Sequence, residues 1–351
     1  VDPRGRQAVS GLLDTLPHEQ RALLRKAPSG GRLAEQPMRA ELSDRRDFSA
    51  GGWVFERKLD GVRALAVRED GGERLLSRSG RRVSATYPEI VEALAAQSRA
   101  DFTVDGEIVA FAGGRTDFAR LQQRMQLSTE RQARASGVAV TYYVFDLLRL
   151  DGMDLTRLPL RTRKSLLRAA LEFRAPLRFT PHRNEGGQQL LDDACAKGWE
   201  GLIAKRADGR YQPRRSPDWL KLKCAGGQEL VIGGFTEPAG SRVGFGALLL
   251  GYYADGALRY AGKVGTGYDR RTLLTLRRGL DQLLARRSPF ADPVRERGAH
   301  WVEPRLVAQI GFTEWTRDGM LRHPRFLGLR DDKRPEDVVR ETPRERGGPR
   351  P

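Results

Sequence analysis

Three strand-like runs, Trp53–Arg57, Arg63–Arg68 and Glu73–Arg78, are separated by the turn signals Asp60-Gly61 and Asp70-Gly71-Gly72. Runs this short, broken by such dipeptides, restrict the region to antiparallel sheet. The first turn carries Lys58, in Phe55-Glu56-Arg57-Lys58-Leu59-Asp60-Gly61-Val62-Arg63. This stretch reads as a strand that enters a tight Asp-Gly turn and returns, with Lys58 projecting from the strand end into a cleft. An amine held among other cations and away from water loses its proton more easily and becomes a nucleophile. Alone, the fragment reads more simply as an ordinary charged hairpin, so the remainder of the chain decides.

The same punctuation organises the chain downstream. Pro88 opens a helix through Gln97, a position proline tolerates. Phe102–Phe111 and Val138–Leu147 read as strands, with a helix near Asp117–Gln126 between them. Helices near Arg161–Leu171 and Gln188–Lys197 precede short strands at Gly201–Arg206 and Trp219–Lys223. Ala225-Gly226-Gly227 reads as a hinge. Beyond it, Leu230–Phe235, Ala247–Tyr253, Leu258–Val264 and Leu306–Trp315 form strands around one helix, Asp269–Ala285. Short strands with a single helix suit a small Greek-key barrel of the OB type. The expected division is an N-terminal extension over 1–35, a first domain over 36–225, a barrel over 226–340 and a disordered tail over 341–351. One short helix is expected in the extension, around Glu19–Lys26; either Leu23 and Leu24 dock it, or the segment is a linker from a larger polypeptide.

A formal charge of +17 over 351 residues favours a polyanionic partner, most simply nucleic acid. Many of the cations are nonetheless expected to be solvated surface. Cys195 and Cys224 are too few for a disulfide framework or an all-cysteine zinc site, and are expected to be reduced packing residues of a cytoplasmic protein. No apolar run is long enough to span a membrane. A start at Val1 implies a non-standard start codon or an excised segment.

Four segments carry candidate chemistry. Asp105 and Glu107 stand two residues apart on a predicted strand, hence on one face. They face either water or a cationic or hydroxyl-bearing ligand. Lys221 and Lys223 share a strand face in the same way, about 7 Å apart, and could straddle a phosphate. Alone, that segment reads more simply as an amphipathic strand. Glu200 opens Glu200-Gly201-Leu202-Ile203-Ala204-Lys205, where a carboxylate could reach magnesium. Phe145 and Tyr143 share a face, and one ring could stack on a base, although a core position is commoner. No Walker-type loop is present.

In order, these segments resemble the motif series of the covalent nucleotidyltransferase superfamily, specifically the ATP-dependent DNA ligases. The series runs from Lys58-Leu59-Asp60-Gly61-Val62-Arg63 through Ser77-Arg78-Ser79-Gly80, Asp105-Gly106-Glu107 and Phe145-Asp146. It continues through Glu200–Lys205 and Leu220–Lys223 to Gly328-Leu329-Arg330-Asp331-Asp332-Lys333. The finer resemblance is to the ligase module of bacterial ligase D, through phrases such as Tyr260-Ala261-Gly262-Lys263-Val264-Gly265-Thr266-Gly267.

The resemblance implies an α+β fold, an adenylation domain of antiparallel sheets and helices followed by an OB-fold barrel. It implies that Lys58 attacks ATP and carries AMP. Glu56 would read the adenine edge, Phe145 would stack on the ring, and Glu107 would hold the ribose. Arg63 would contact ribose or nick, and Arg78 the phosphate being joined. Glu200, with Glu107, would place Mg2+ or Mn2+. Lys205, Lys221 and Lys223 would bind nucleotide, the last two at the α-phosphate. Arg330 and Lys333 would orient pyrophosphate, and Asp60 would serve the sealing step. The implied setting is end joining of nicked or broken double-stranded DNA by a monomer in the bacterial cytoplasm, at the nucleoid. A Ku-type end-binding protein and a separate repair polymerase are the implied partners. An RNA ligase or capping-type nucleotidyltransferase is the nearest rival, and a non-catalytic DNA-binding module a more distant one.

Overall fold

A computed structural model describes residues 11–28, 31–45, 47–69, 72–224, 226–316 and 318–341. The chain divides into two compact units after Cys224. In the first, two sheets lie face to face. One has the central order β6-β5-β3-β4, where β3 is Val62–Glu69, β4 Gly72–Ser77, β5 Phe102–Ala112 and β6 Val140–Leu150, all antiparallel neighbours. The other has the order β2-β7-β8-β1, from Trp53–Arg57, Gly201–Arg206, Arg215–Lys223 and Arg39–Leu42, with β1 parallel to β8.

Burial follows the strand period of two. On β3, Val62, Ala64 and Ala66 join one core, together with residues of the helices Pro88–Ala95 (α1), Phe118–Met125 (α2) and Leu160–Ala170 (α3). Leu65 and Val67 point the other way, into a second core with Phe145 of β6 and Trp219 of β8. A third core packs Trp53, Phe55, Leu202, Ala204, Leu220 and Leu222 against helix α4, Gly187–Ala196. The layers are therefore helices, sheet, sheet, helix. Both sheets are buried on both faces, which is why β3 reads as an almost unbroken apolar run.

The hairpin expected at Asp60-Gly61 does not form. β2 and β3 belong to different sheets, and the Lys58–Gly61 segment carries the chain from one to the other. Close packing explains the crossing. A Cβ on Gly61 would stand 2.2 Å from the Ile108 carbonyl oxygen, so the turn lies flat on β5.

Three further expectations are corrected. Residues 11–28 belong to the first unit: Leu16 joins its core, Leu23 and Leu24 pack on it as expected, and Arg25–Lys26 pairs with Met153–Asp154. The helix there spans only His18–Arg21, and the chain is extended by Arg25. The cysteines are not separate thiols: Cys195 at the end of α4 and Cys224 after β8 form a disulfide, their Cα atoms 5.2 Å apart. The hinge contracts, because Gly227 already pairs with Gly311 and Gly226 packs against the Phe312 carbonyl. Ala225, and all of the supposed tail except Glu341, lie outside the described residues.

The second unit is antiparallel sheet with two apolar cores, one around Leu230, Ile232 and Leu250 and one around Val231, Leu249 and Phe290. Its strands are β9 (Gly227–Thr236), β10 (Leu248–Ala254), β11 (Ala257–Val264), β12 (Ala299–Gly311) and β13 (Arg325–Leu329). Helix α5, Arg270–Asp281, is capped by Asp269, which accepts from Thr272 N at 2.7 Å. Leu273, Leu276 and Leu280 form its buried stripe. The expected helix ran to Ala285, but Leu284–Ala285 instead pairs with β12.

Arg163 of α3 fastens the helix layer to the sheets. Its guanidinium grips Asp146 at 2.7 and 2.9 Å and donates to the Leu158 and Gly209 carbonyls. Arg163 and Asp146 side chains are both 0% exposed, so deleting the cation leaves an unpaired buried charge. Arg163→Met is expected to destabilise the first unit by about 3–5 kcal/mol, read from the denaturant midpoint.

Candidate active site

Strand alternation decides which side chains face the space between the two sheets. With Trp53 and Phe55 turned toward α4, Glu56 points inward, and the same parity turns Lys205, Lys221 and Lys223 inward from β7 and β8. From the opposite sheet come Arg63, Asp105 and Glu107, because Val62, Ala64, Val104 and Ile108 face the helices. Phe145 completes that side. Lys58 stands at the crossing. Its amide donates to the Gly201 carbonyl at 2.9 Å. Gly201, at φ +143°, has its α-carbon so near β8 that a Cβ would lie 1.9 Å from Leu222 O.

The charged groups form three clusters. At the mouth, the Lys58 ammonium donates a short hydrogen bond to Glu200 Oε1, and the two side chains are 18% and 29% exposed. Burial pushes the Lys58 amine down, but Glu200 first, then Asp60 and Glu107, outweigh it and hold its pKa above the ordinary lysine value. The expected setting is thus reversed: carboxylates, not cations, surround this amine. Glu200 Oε2 is buried with no hydrogen-bond partner. A divalent cation would satisfy it, and phosphate oxygens or water would supply the remaining ligands. Among the described residues no three carboxylate, histidine or cysteine groups gather at one point.

Deeper, Arg63 Nε meets Asp105 Oδ1 at 2.7 Å, and its Nη2 reaches Asp105 Oδ2 and the Met38 carbonyl. The Tyr211 hydroxyl donates to Asp105 at 2.7 Å. The Asp105 half of the acidic pair therefore faces a cation and a hydroxyl belonging to the protein itself. The Arg63 guanidinium also lies 5.1 Å from the centre of the Phe145 ring.

Deepest, Glu56 is 3% exposed and meets Lys164 Nζ and Lys205 Nζ at 2.6 Å each, one on either oxygen. Burial pushes its carboxyl up, but the two lysines bring the pKa below the ordinary value. Lys205 shifts down, through burial and then Lys164, although Glu56 opposes. Its ammonium sits 4.0 Å from the Phe145 ring centre and 4.2 Å from that of Trp219. Lys164 escaped the sequence reading. The available signal was a charge at i+4 from Leu160 and i−3 from Leu167 on the buried stripe of α3.

Arg78 lies half-buried on the turn after β4. Arg330 and Lys333 belong to the second unit. Arg330 is 7% exposed and grips Asp332 at 2.9 Å through both Nε and Nη2, while Lys333 meets Glu229 at 3.1 Å.

A model described as the ATP dependent DNA ligase domain matches residues 36–223. A second, the ATP dependent DNA ligase C terminal region, matches residues 241–333. The chain belongs to the ATP-dependent DNA ligase family. Among this ligase's relatives is the multifunctional non-homologous end joining protein LigD of Pseudomonas aeruginosa, 40% identical over 334 residues. That match covers 93% of this chain and 37% of the relative. The LigD protein of Mycobacterium bovis is 41% identical over 314 residues, covering 87% of this chain and 40% of its own. The ligase thus spans about two fifths of the length of these curated relatives. A solved structure described as mycobacterial DNA ligase D complexed with ATP and MES is 36% identical, with a TM-score of 0.59. It covers 87% of this ligase, which in turn covers 98% of it.

The ion pair at the mouth makes a prediction for the ligand-free ligase. Lys58 remains protonated until pH exceeds its raised pKa, so it resists acylation below that range. Glu200→Gln removes the largest upward influence, and acetylation of Lys58 at about pH 8 should accelerate roughly tenfold. Peptide mass spectrometry over a pH series checks this, and an unchanged rate contradicts it.

Proposed function

We propose that this ligase joins 5′-phosphate and 3′-hydroxyl ends of double-stranded DNA through an AMP adduct on Lys58. The observation that carries the reading is the seat of Lys58, partly sheltered at the crossing between two charge-lined sheets and held by Glu200. The amine must be deprotonated to react. Separating it from Glu200 removes the chief cause of its raised pKa, so release of that ion pair precedes attack. The amine lone pair then forms the N–P bond at the α-phosphorus, the bond to the bridging oxygen breaks, and pyrophosphate leaves.

Lys221 and Lys223, aimed inward from β8, would neutralise the non-bridging oxygens as charge accumulates there. Glu56 would accept from the adenine amine and Phe145 would stack on the base, with Lys205 against both. Glu107 would hold the ribose. Arg63 would approach the ribose or nick with the donors that Asp105 leaves over. Arg330 and Lys333 would exchange Asp332 and Glu229 for the pyrophosphate. Glu200 and Glu107 would hold magnesium or manganese, whose charge offsets that of the phosphates. Arg78 would bind the 5′-phosphate, whose oxygen next attacks the adenylyl phosphorus and frees Lys58. The 3′-hydroxyl, with Asp60 nearby, finally displaces AMP.

The name shared by the relatives supports end joining as the setting. A Ku-type end-binding protein and a separate repair polymerase are proposed as partners. A monomer at the bacterial nucleoid is the proposed form. No helix among the described residues is long and apolar enough to cross a membrane.

Intact mass spectrometry after exposure to ATP and magnesium tests the central step. The parent is expected to gain one adenylyl group and Lys58→Ala none. An adduct on Lys58→Ala, or none on the parent, refutes the assignment.

A further inference from the structure

We infer that Lys164 is a positioning residue that sets the preference for the nucleotide base, by clamping Glu56 in the orientation that accepts from an amine. The inference rests on the proposed role of Glu56 at the base edge. It starts from a geometry that the motif series does not contain. Lys164 lies on α3, outside every strand that faces the cleft, yet its side chain is only 2% exposed and its Nζ meets Glu56 Oε1 at 2.6 Å. The same nitrogen stands 3.4 Å from the carbonyl oxygens of both Phe145 and Thr180. One ammonium thus joins the group proposed to read the edge of the base to the backbone of the residue proposed to stack on its face.

The chemistry comes from counting acceptor sites. A carboxylate offers about four lone-pair positions. Lys164 takes one on Oε1 and Lys205 pairs its charge with Oε2, which together fix the plane of the group and leave acceptor positions open. Adenine presents an amine at its six position and guanine presents an oxygen there. A fixed, ionised carboxylate attracts the first and repels the second. With Lys164 absent, only Lys205 holds Glu56, from one side, and the carboxyl is free to rotate or to take up a proton in a site closed to water. A protonated, turned Glu56 would donate to the guanine oxygen, so discrimination falls. Lys205 cannot replace the missing clamp, because its ammonium is confined between the Phe145 and Trp219 rings.

The test is single-turnover self-adenylylation or self-guanylylation with ATP and GTP, separating half-saturating nucleotide from maximal rate. Lys164→Met is expected to raise half-saturating ATP about tenfold, more than it changes the maximal rate, and to narrow the ATP-over-GTP preference about tenfold. Lys164→Arg should restore most of the preference. In a Glu56→Gln background, Lys164→Met should have little further effect, since the group it clamps has lost its charge. If Lys164→Met lacks a cooperative thermal transition, Lys164→Gln provides the same readout with the cavity filled. A folded Lys164→Met or Lys164→Gln protein with parental preference overturns the inference, as does an equal loss that persists in the Glu56→Gln background. A parent that accepts neither nucleotide refutes the proposed function instead, so the two failures are distinct.

Discussion

Two sheets packed face to face leave little water for the charges that strand alternation turns inward, so a carboxylate buried there needs a cation. Asp105 finds Arg63, Glu56 finds Lys164 and Lys205, and Glu200 finds Lys58. Such pairs seldom add much net stability, because desolvating both partners offsets their attraction. Their effect lies in the penalty for any alternative. A one-residue slip of β2 or β5 would send Glu56 or Asp105 into the apolar layer behind it and leave the partner cation unpaired. Register and site are therefore specified by the same contacts, and the stability itself comes from the three cores on either side and between.

The pairs are graded by depth. Glu56 and its two lysines are each no more than 3% exposed, whereas Lys58 and Glu200 retain 18% and 29%. A buried triad changes partner only at high cost, which suits the role proposed for Glu56 at the base edge. A pair at the cleft mouth is partly screened and separates more cheaply. That suits the role proposed for Lys58, which would exchange a carboxylate for a phosphorus atom and later return.

Much of this was legible from alternation alone. The shared faces of Asp105 with Glu107 and of Lys221 with Lys223 follow from a period of two, and the second unit follows from its turn spacing. What escaped is non-local. The Asp60-Gly61 dipeptide signals a turn but not whether the strand beyond it pairs back, and here it leads into the other sheet. Lys58 was expected among cations because its sequence neighbours include Arg57 and Arg63. Its actual neighbour Glu200 arrives 142 positions later, on the loop leading into β7. The disulfide joins residues 29 positions apart, brought together only when α4 packs on β8. Lys164 announced itself only as a misplaced charge on an apolar helix stripe.

The second unit follows the same rule without sharing a strand with the first. Arg330 rests on Asp332 and Lys333 on Glu229, so each candidate phosphate-binding cation there is also seated on a carboxylate. In a chain of net charge +17, cations gathered to receive a polyphosphate would repel one another while the ligand is away. Seated on carboxylates, they keep their positions. An incoming phosphate then competes with an acid already in place, and only a ligand carrying several charges in the right geometry displaces several acids together. Under the proposed function, selectivity for a nucleoside triphosphate over a lone phosphate would result from that competition.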